Sequence, residues 1–141
     1  MNILILHGPN LNLIGSISAE IGQKITIDKI NTGIRRHVRN KEIQIKILQT
    51  HKQFNAINFI QRNRNWANFF LLAPMAWARY EYAILDTLKI SKINTLQILL
   101  SDDYSDVTKS NSIFSEACTS TLIGSPDKVY LEGLDHIQKI I

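Results

Sequence analysis

The sequence predicts an α/β domain in which five parallel strands are covered by helices on both faces. Short apolar runs, typical of buried strands, alternate with stretches whose apolar residues recur every three or four positions, typical of amphipathic helices. The chain has 141 residues, without an internal repeat or a linker rich in Pro, Gly or Ser. We therefore expect a single domain over residues 1–141.

The N-terminal part begins with a buried strand and a long loop. Residues Asn2–Leu6 form a short apolar run that ends at a Gly-Pro turn. Residues 8–24 carry Gly, Pro, Asn and Ser without a period, so we expect a loop, and loops of this length in compact domains are usually functional or disordered. Thr26 is the predicted N-cap of an amphipathic helix that ends near Asn40.

The remaining elements continue the alternation of strands and helices. In chain order they are a strand at 42–49, a helix at 54–64, a strand at 68–72, a helix at 80–89, a strand at 95–100, a loop at 101–112, a short strand at 121–123, and a helix from Pro126 to Ile140 with Ser125 as its cap. Right-handed crossovers then give a flavodoxin-like doubly wound sheet, in which ligands bind at the carboxyl ends of the strands.

Composition and charge narrow the functional classes. Hydrophobic residues make up 45% of the chain and charged residues 20%, which excludes general disorder. No apolar run is long enough to cross a membrane. We expect no secretory signal. Because Cys118 has no disulfide partner, we also expect a reducing cytoplasm. The net charge of +4 fits a small anionic ligand or a weak nucleic-acid contact. The cationic run at 35–41 is interpreted as a solvated helix end, so no nucleic-acid partner is expected.

The most unusual segment follows the first strand and reads His7-Gly8-Pro9-Asn10-Leu11-Asn12. Its Gly, Pro and Asn residues predict a tight turn at the edge of the sheet where ligands bind. From the residues alone, the turn is either chosen for shape, with Asn side chains that cap the backbone, or built to present Asn side chains to a ligand. Neither of the glycine-rich phosphate-binding motifs is present.

This segment, continued to Gly15, resembles the opening of the type II 3-dehydroquinate dehydratases. Further matches follow in order, at Gly22–Ile30, Gln49-Thr50, Pro74-x-Ala76, Ala83-Ile84-x-Asp86 and Leu100-Ser101. The resemblance implies removal of water from 3-dehydroquinate without a metal or a cofactor, by a tyrosinate base, an arginine that activates it and a histidine acid. It also implies a lid, here at about 15–24, and a homo-oligomer, either a trimer or a dodecamer.

Some of the family's site residues have counterparts in this sequence. The resemblance assigns Asn10 to the asparagine that positions a water or binds the enolate, and Ser101 to the serine beside the acid. It assigns Asp86 to an aspartate that reaches a neighbouring subunit's site. Arg79 stands in place of a substrate-binding histidine, and Lys109 lies nearest to the position of a carboxylate-binding arginine.

The groups that would transfer protons have no counterpart. The activating arginine falls at Ile17, the tyrosine base at Ile21 and the histidine acid at Leu99. A substrate-binding asparagine falls at Ala73, and a glutamate falls at Gln97. Because Ile and Leu cannot titrate, the resemblance implies an impaired or inactive pseudoenzyme that keeps the fold and the assembly.

Three functions therefore remain open. The first is a non-catalytic homo-oligomer of the family. The second is an active dehydratase or related lyase that has rebuilt its site from Tyr104, Tyr80 or His7 and binds an anion through Arg79 and Lys109. The third is a binding module for a small anionic acid, without turnover.

Overall fold

A computed structural model describes residues 1–140. All strands lie in one parallel sheet of five strands, in the order β2-β1-β3-β4-β5. The strands are β1 (Asn2–His7), β2 (Gln44–Gln49), β3 (Phe69–Ala73), β4 (Asn94–Leu100) and β5 (Ser120–Gly124). The predicted fold class is confirmed, and the strand order reverses beside β1, which places the switch point at the end of that strand.

Helices cover both faces of the sheet. They are α1 (Ile14–Glu20), α2 (Ile27–His37), α3 (Gln53–Asn63), α4 (Tyr82–Ser91) and α5 (Val129–Ile140). Helices α1, α2 and α5 contribute buried side chains to one core cluster, whereas α3 and α4 contribute to the other. Within residues 1–140, no helix has both the length and the apolar character that crossing a membrane would require.

Strand β1 joins the two halves of the core. Ile3 and Ile5 pack into the cluster on the α2 and α5 side, while Leu4 and Leu6 pack into the cluster on the α3 and α4 side. All four side chains have no exposed surface. Because both faces of this central strand are covered, it appears in the sequence as a continuous apolar run without alternation.

The prediction of a structureless loop over 8–24 is wrong. A short 3-10 helix at Leu11–Leu13 leads directly into α1, and only the turn at Gly8–Asn10 and the segment from Ile21 to Thr26 lack regular structure. Leu11 and Ile14 are fully buried in the core, which holds this segment against the sheet. The Ser and Gly residues of α1 obscured its helical period in the sequence.

The other strands and α-helices differ from the prediction only at their ends, and two unpredicted 3-10 helices lie at Met75–Arg79 and Ser115–Ala117. Thr26 is confirmed as the N-cap of α2, since its hydroxyl oxygen accepts a hydrogen bond from the Lys29 N–H at 3.2 Å. The last helix begins at Val129 rather than Pro126. A turn precedes it, in which the Ser125 carbonyl accepts from the N–H groups of Lys128 and Val129.

Two backbone turns meet at the carboxyl edge of the sheet. The Gly8 N–H donates to the Ala73 carbonyl at 2.8 Å, just beyond the last paired residues of β1 and β3. A Cβ atom at Gly8 would lie 2.4 Å from the Pro74 carbonyl oxygen and 2.9 Å from that of Ala73. Only glycine therefore fits between the two strands at this point.

We expect Gly8→Ala to lower the free energy of unfolding by at least about 2 kcal/mol, because backbone must move to admit the methyl group. The matched control is Gly33→Ala in α2, where a Cβ would meet no atom within 4 Å. That control should stabilise the protein by up to about 1 kcal/mol, the difference in helix propensity between Gly and Ala. Urea denaturation measures both, and equal effects of the two substitutions would contradict the packing described here.

Candidate functional site

The predicted site residues that follow strand ends lie at one edge of the sheet. Asn10 follows β1, Ala73 ends β3, and Ser101 follows β4. The Ser101 N–H donates to the Gly124 carbonyl at 2.9 Å, which fixes the start of its loop against the end of β5. The structure thus brings these three positions to the edge where ligands bind in doubly wound folds.

Asn10 presents an exposed amide at this edge. Its backbone is left-handed, with φ 70° and ψ 0°, a conformation that Asn tolerates better than most residues. Its carbonyl accepts from the Leu13 N–H at 2.9 Å, but its side chain makes no capping hydrogen bond to the 3-10 helix that follows. The side chain of Asn10 is therefore not used to cap the backbone of this helix.

His7 is buried directly beneath this turn. Its Nδ1 lies 2.8 Å from the Tyr130 hydroxyl and its Nε2 lies 2.8 Å from the Asn31 amide oxygen. Because the amide oxygen only accepts, Nε2 carries the proton, and Nδ1 accepts from the hydroxyl. Burial lowers the pKa of His7 from 6.5 to about 4, against a smaller opposite effect of the bond to Asn31. With both nitrogens occupied and the ring neutral, the contacts favour a structural role over that of a substitute acid.

Packing accounts for the apolar residues at the positions that the resemblance assigned to proton transfer. Leu99 is only 2% exposed and belongs to the same core cluster as Trp77 and Phe114. Ile17 is half-buried against the opposite cluster, and Ile21 ends α1 with 38% of its surface exposed. Leu99 in particular is almost completely enclosed by this core.

Tyr104, the main candidate for a replacement base, is nearly buried in the loop after β4. Its hydroxyl donates to the Gln23 amide oxygen at 2.7 Å. Its N–H donates to the Ser101 carbonyl at 2.8 Å. The hydrogen bond between Tyr104 and Gln23 connects this loop to the segment after α1. This partner is a neutral amide, and it engages the phenol O–H in a hydrogen bond.

Arg79 is paired with a carboxylate of the same chain. Its guanidinium forms an ion pair with Asp106, which lies in the loop after β4. The side chains of Arg79 and Asp106 are 46% and 86% exposed, so solvent weakens their attraction. Tyr80, the next residue, is also largely exposed at 56%.

The two predicted cationic groups do not share a cavity. Lys109 lines an open depression of about 590 Å³ with Glu116 and Ile123, beside the edge strand β5. Arg79 does not line this depression and instead pairs with Asp106. Asp86 lies exposed on α4, on the outer surface of the molecule.

Gln97 organises the loop after β4 from within the sheet. Its amide nitrogen donates to Ser115 Oγ at 3.0 Å and to Thr121 Oγ1 at 3.1 Å. Its amide oxygen accepts from the Ser112 hydroxyl. Within residues 1–140, every buried side-chain nitrogen or oxygen has a hydrogen-bond partner. The described site therefore holds no buried polar group that a ligand would be needed to satisfy.

Sequence reasoning missed the partners that fix these side chains. Gln23, Asn31 and Asp106 come from segments far from Tyr104, His7 and Arg79 along the chain, and no spacing relates them. One signal was available for Gln97. A polar residue inside the apolar run of β4 must find hydrogen-bond partners when both faces of the sheet are covered.

Known proteins match this chain over almost its whole length. The family model for class II dehydroquinases matches residues 1–138. A 3-dehydroquinate dehydratase of Clostridium botulinum is 29% identical over 96% of this chain and 93% of its own length. The crystal structure of a type II dehydroquinase from Butyrivibrio crossotus superimposes with a TM-score of 0.85 at 25% identity, over 98% of this chain and 97% of that one. The type II dehydroquinase of Propionibacterium acnes shares the fold, with a TM-score of 0.80 at 21% identity and 98% of both chains covered.

The buried His7 predicts a loss of stability in mild acid. Because its pKa is about 4 in the folded protein and 6.5 in its ordinary state, the unfolded chain binds more protons between these values. Its stabilising contribution is therefore complete above pH 6.5 and is lost as the pH falls toward 4. We expect His7 to account for a loss of about 2 kcal/mol between pH 7 and pH 5 in urea titrations.

The variant His7→Gln should remove this part of the pH dependence, whereas His51→Gln, at an exposed position, should retain it. An equal slope of stability against pH in wild type and His7→Gln would show that other groups cause the loss.

Proposed function

The chain belongs to the class II dehydroquinase family, and we propose that it is a member that keeps the fold but no longer dehydrates 3-dehydroquinate. Curated relatives named 3-dehydroquinate dehydratase are 29% identical to it. Dehydration of 3-dehydroquinate is therefore the activity that we expect this chain to have lost. The observation that carries it is the packing of Leu99, at the position assigned to the general acid, into the core beside Trp77 and Phe114.

The chemistry named for the relatives requires groups that accept and release protons. The side chains of Ile17, Ile21 and Leu99 can do neither. Loss of one positioned acid or base costs on the order of 10²–10⁴-fold in rate, and losses of a base and an acid from different steps compound. Unless another group substitutes, turnover falls below detection.

The contacts of the three candidate substitutes favour other roles. The Tyr104 phenol is used to bind Gln23, and the His7 imidazole is held between Tyr130 and Asn31. Tyr80 is exposed beside Arg79, but the Arg79 guanidinium, the cation that would favour a phenolate, is paired with a carboxylate.

A second candidate function is the binding of a small acid at the same edge without turnover. Arg79 supports it, because an ion pair this exposed is weak and a ligand carboxylate can exchange with Asp106. The exposed amide of Asn10 would supply a hydrogen bond from the neighbouring strand end.

We also propose that the protein assembles as a trimer or dodecamer in a reducing cytoplasm. Asp86 is exposed on α4 and so is accessible to a neighbouring subunit. Burial raises the pKa of the Cys118 thiol to about 12, which keeps this single cysteine protonated and unreactive. Light scattering of the native protein tests the assembly independently of activity.

The first experiment is a dehydratase assay that follows formation of the conjugated enone of 3-dehydroshikimate at high enzyme concentration. We expect no turnover by the wild type, since the positions assigned to the base and the acid hold apolar side chains. Stabilisation against heat by 3-dehydroquinate without turnover would support the second candidate function.

Two variants guard this assay against a contaminating host enzyme and against a rebuilt site. Turnover that Tyr104→Phe abolishes and Tyr80→Phe leaves intact would show that Tyr104 has become the base, and the proposal would be wrong. Turnover that neither substitution alters must disappear on further purification, as that of a contaminant would, and turnover that persists would contradict the proposal.

A further inference from the structure

A second concave feature lies between α2 and α5. It is a cavity of about 250 Å³, and its walls come from the segment before α2, from α2 itself and from the start of α5. None of the site residues discussed above except Tyr130, the partner of His7, contributes to its wall. We propose that this cavity binds a small apolar carboxylate.

The inner wall is apolar and offers no free hydrogen-bonding group. Ile25, Ile30 and Leu131 contribute aliphatic surface, and the ring of Tyr130 closes the wall on the sheet side. Tyr130 is only 1% exposed, and its hydroxyl is already bound to His7. A polyhydroxylated ligand would leave its hydroxyl groups unsatisfied here, whereas a hydrocarbon body would be buried favourably.

Two lysine residues contribute to the lining of the cavity. Lys24 and Lys29 both line the cavity and both are exposed. The Lys29 ammonium donates to the Lys24 carbonyl at 2.8 Å, which holds its charge beside the cavity. The one acid of the lining, Asp127, accepts a hydrogen bond from the Ser125 hydroxyl at 2.6 Å. Two cations against one carboxylate favour an anionic head group on the ligand.

The available space sets the size of the ligand. Gly33 also lines the cavity, and a Cβ at this position would meet no atom within 4 Å. Pockets for drug-sized ligands span roughly 300–1,000 Å³, so a cavity of about 250 Å³ suits a single ring or a short branched chain. Benzoate combines such a body with a carboxylate and is the probe we choose.

The test is a saturation-transfer NMR titration of benzoate against the full-length protein. We expect a dissociation constant on the order of millimolar, as small ligands reach in open cavities. Lys29→Gln should weaken binding at least about fivefold, since it removes the fixed cation. Gly33→Leu should weaken it at least about tenfold, because the side chain occupies the open space. Benzyl alcohol, which lacks the charge, should bind more weakly than benzoate.

Two controls locate the binding. Gly33→Ala should keep most of the affinity, which separates filling of the cavity from a change in α2. Lys89→Gln, at an exposed position of α4, should bind benzoate like the wild type.

Several results would overturn the proposal. They are the absence of benzoate binding at millimolar concentration, and normal binding by either Lys29→Gln or Gly33→Leu. A change of native mass in Gly33→Leu, measured by light scattering, would instead assign the cavity to contacts with a second copy of the chain. The outcome is independent of dehydratase turnover, which concerns the strand-end site.

Discussion

The site at the carboxyl edge depends on a backbone contact between the ends of β1 and β3. Gly8 donates to Ala73 at 2.8 Å, and the space between the two turns admits no side chain. This contact fixes the point after His7 at which the chain leaves the sheet and turns toward Asn10. Because it uses only backbone atoms and the absence of a Cβ, it places no demand on the chemistry of neighbouring side chains. The turn and the fold are therefore compatible with a range of side chains around this contact.

The sequence was sufficient to predict the fold because the strands are short apolar runs and the helices are amphipathic. Two of the signals are local. Every second residue from Ile43 to Ile47 is isoleucine, and these side chains pack against one core cluster. Thr26 caps its helix as predicted. The region of α1 was mispredicted because its stability comes from contacts that are distant or unpatterned. The Ser18 hydroxyl accepts a hydrogen bond from the Ile25 N–H at 2.8 Å. The pattern of apolar residues does not predict such a bond.

The candidate site was predictable in position but not in its contacts. The turn motif and the rule for doubly wound folds place Asn10 and Ser101 at one edge, and both lie there. The partners of the polar side chains come from tertiary packing, so Tyr104 meets Gln23 and Arg79 meets Asp106 without any signal in the sequence. The same two contacts tie the loop after β4 to its neighbours on either side.

The central position of β1 has a consequence for how the chain folds. This strand is the first along the chain, yet its neighbours in the sheet, β2 and β3, both lie beyond intervening helices. Parallel pairing requires long loops to close before any strand contact is gained, which slows folding. During synthesis, the apolar segment Asn2–Leu6 therefore leaves the ribosome well before β3 can cover its second edge. We expect nascent chains to depend on chaperones that shield this segment until β3 has emerged.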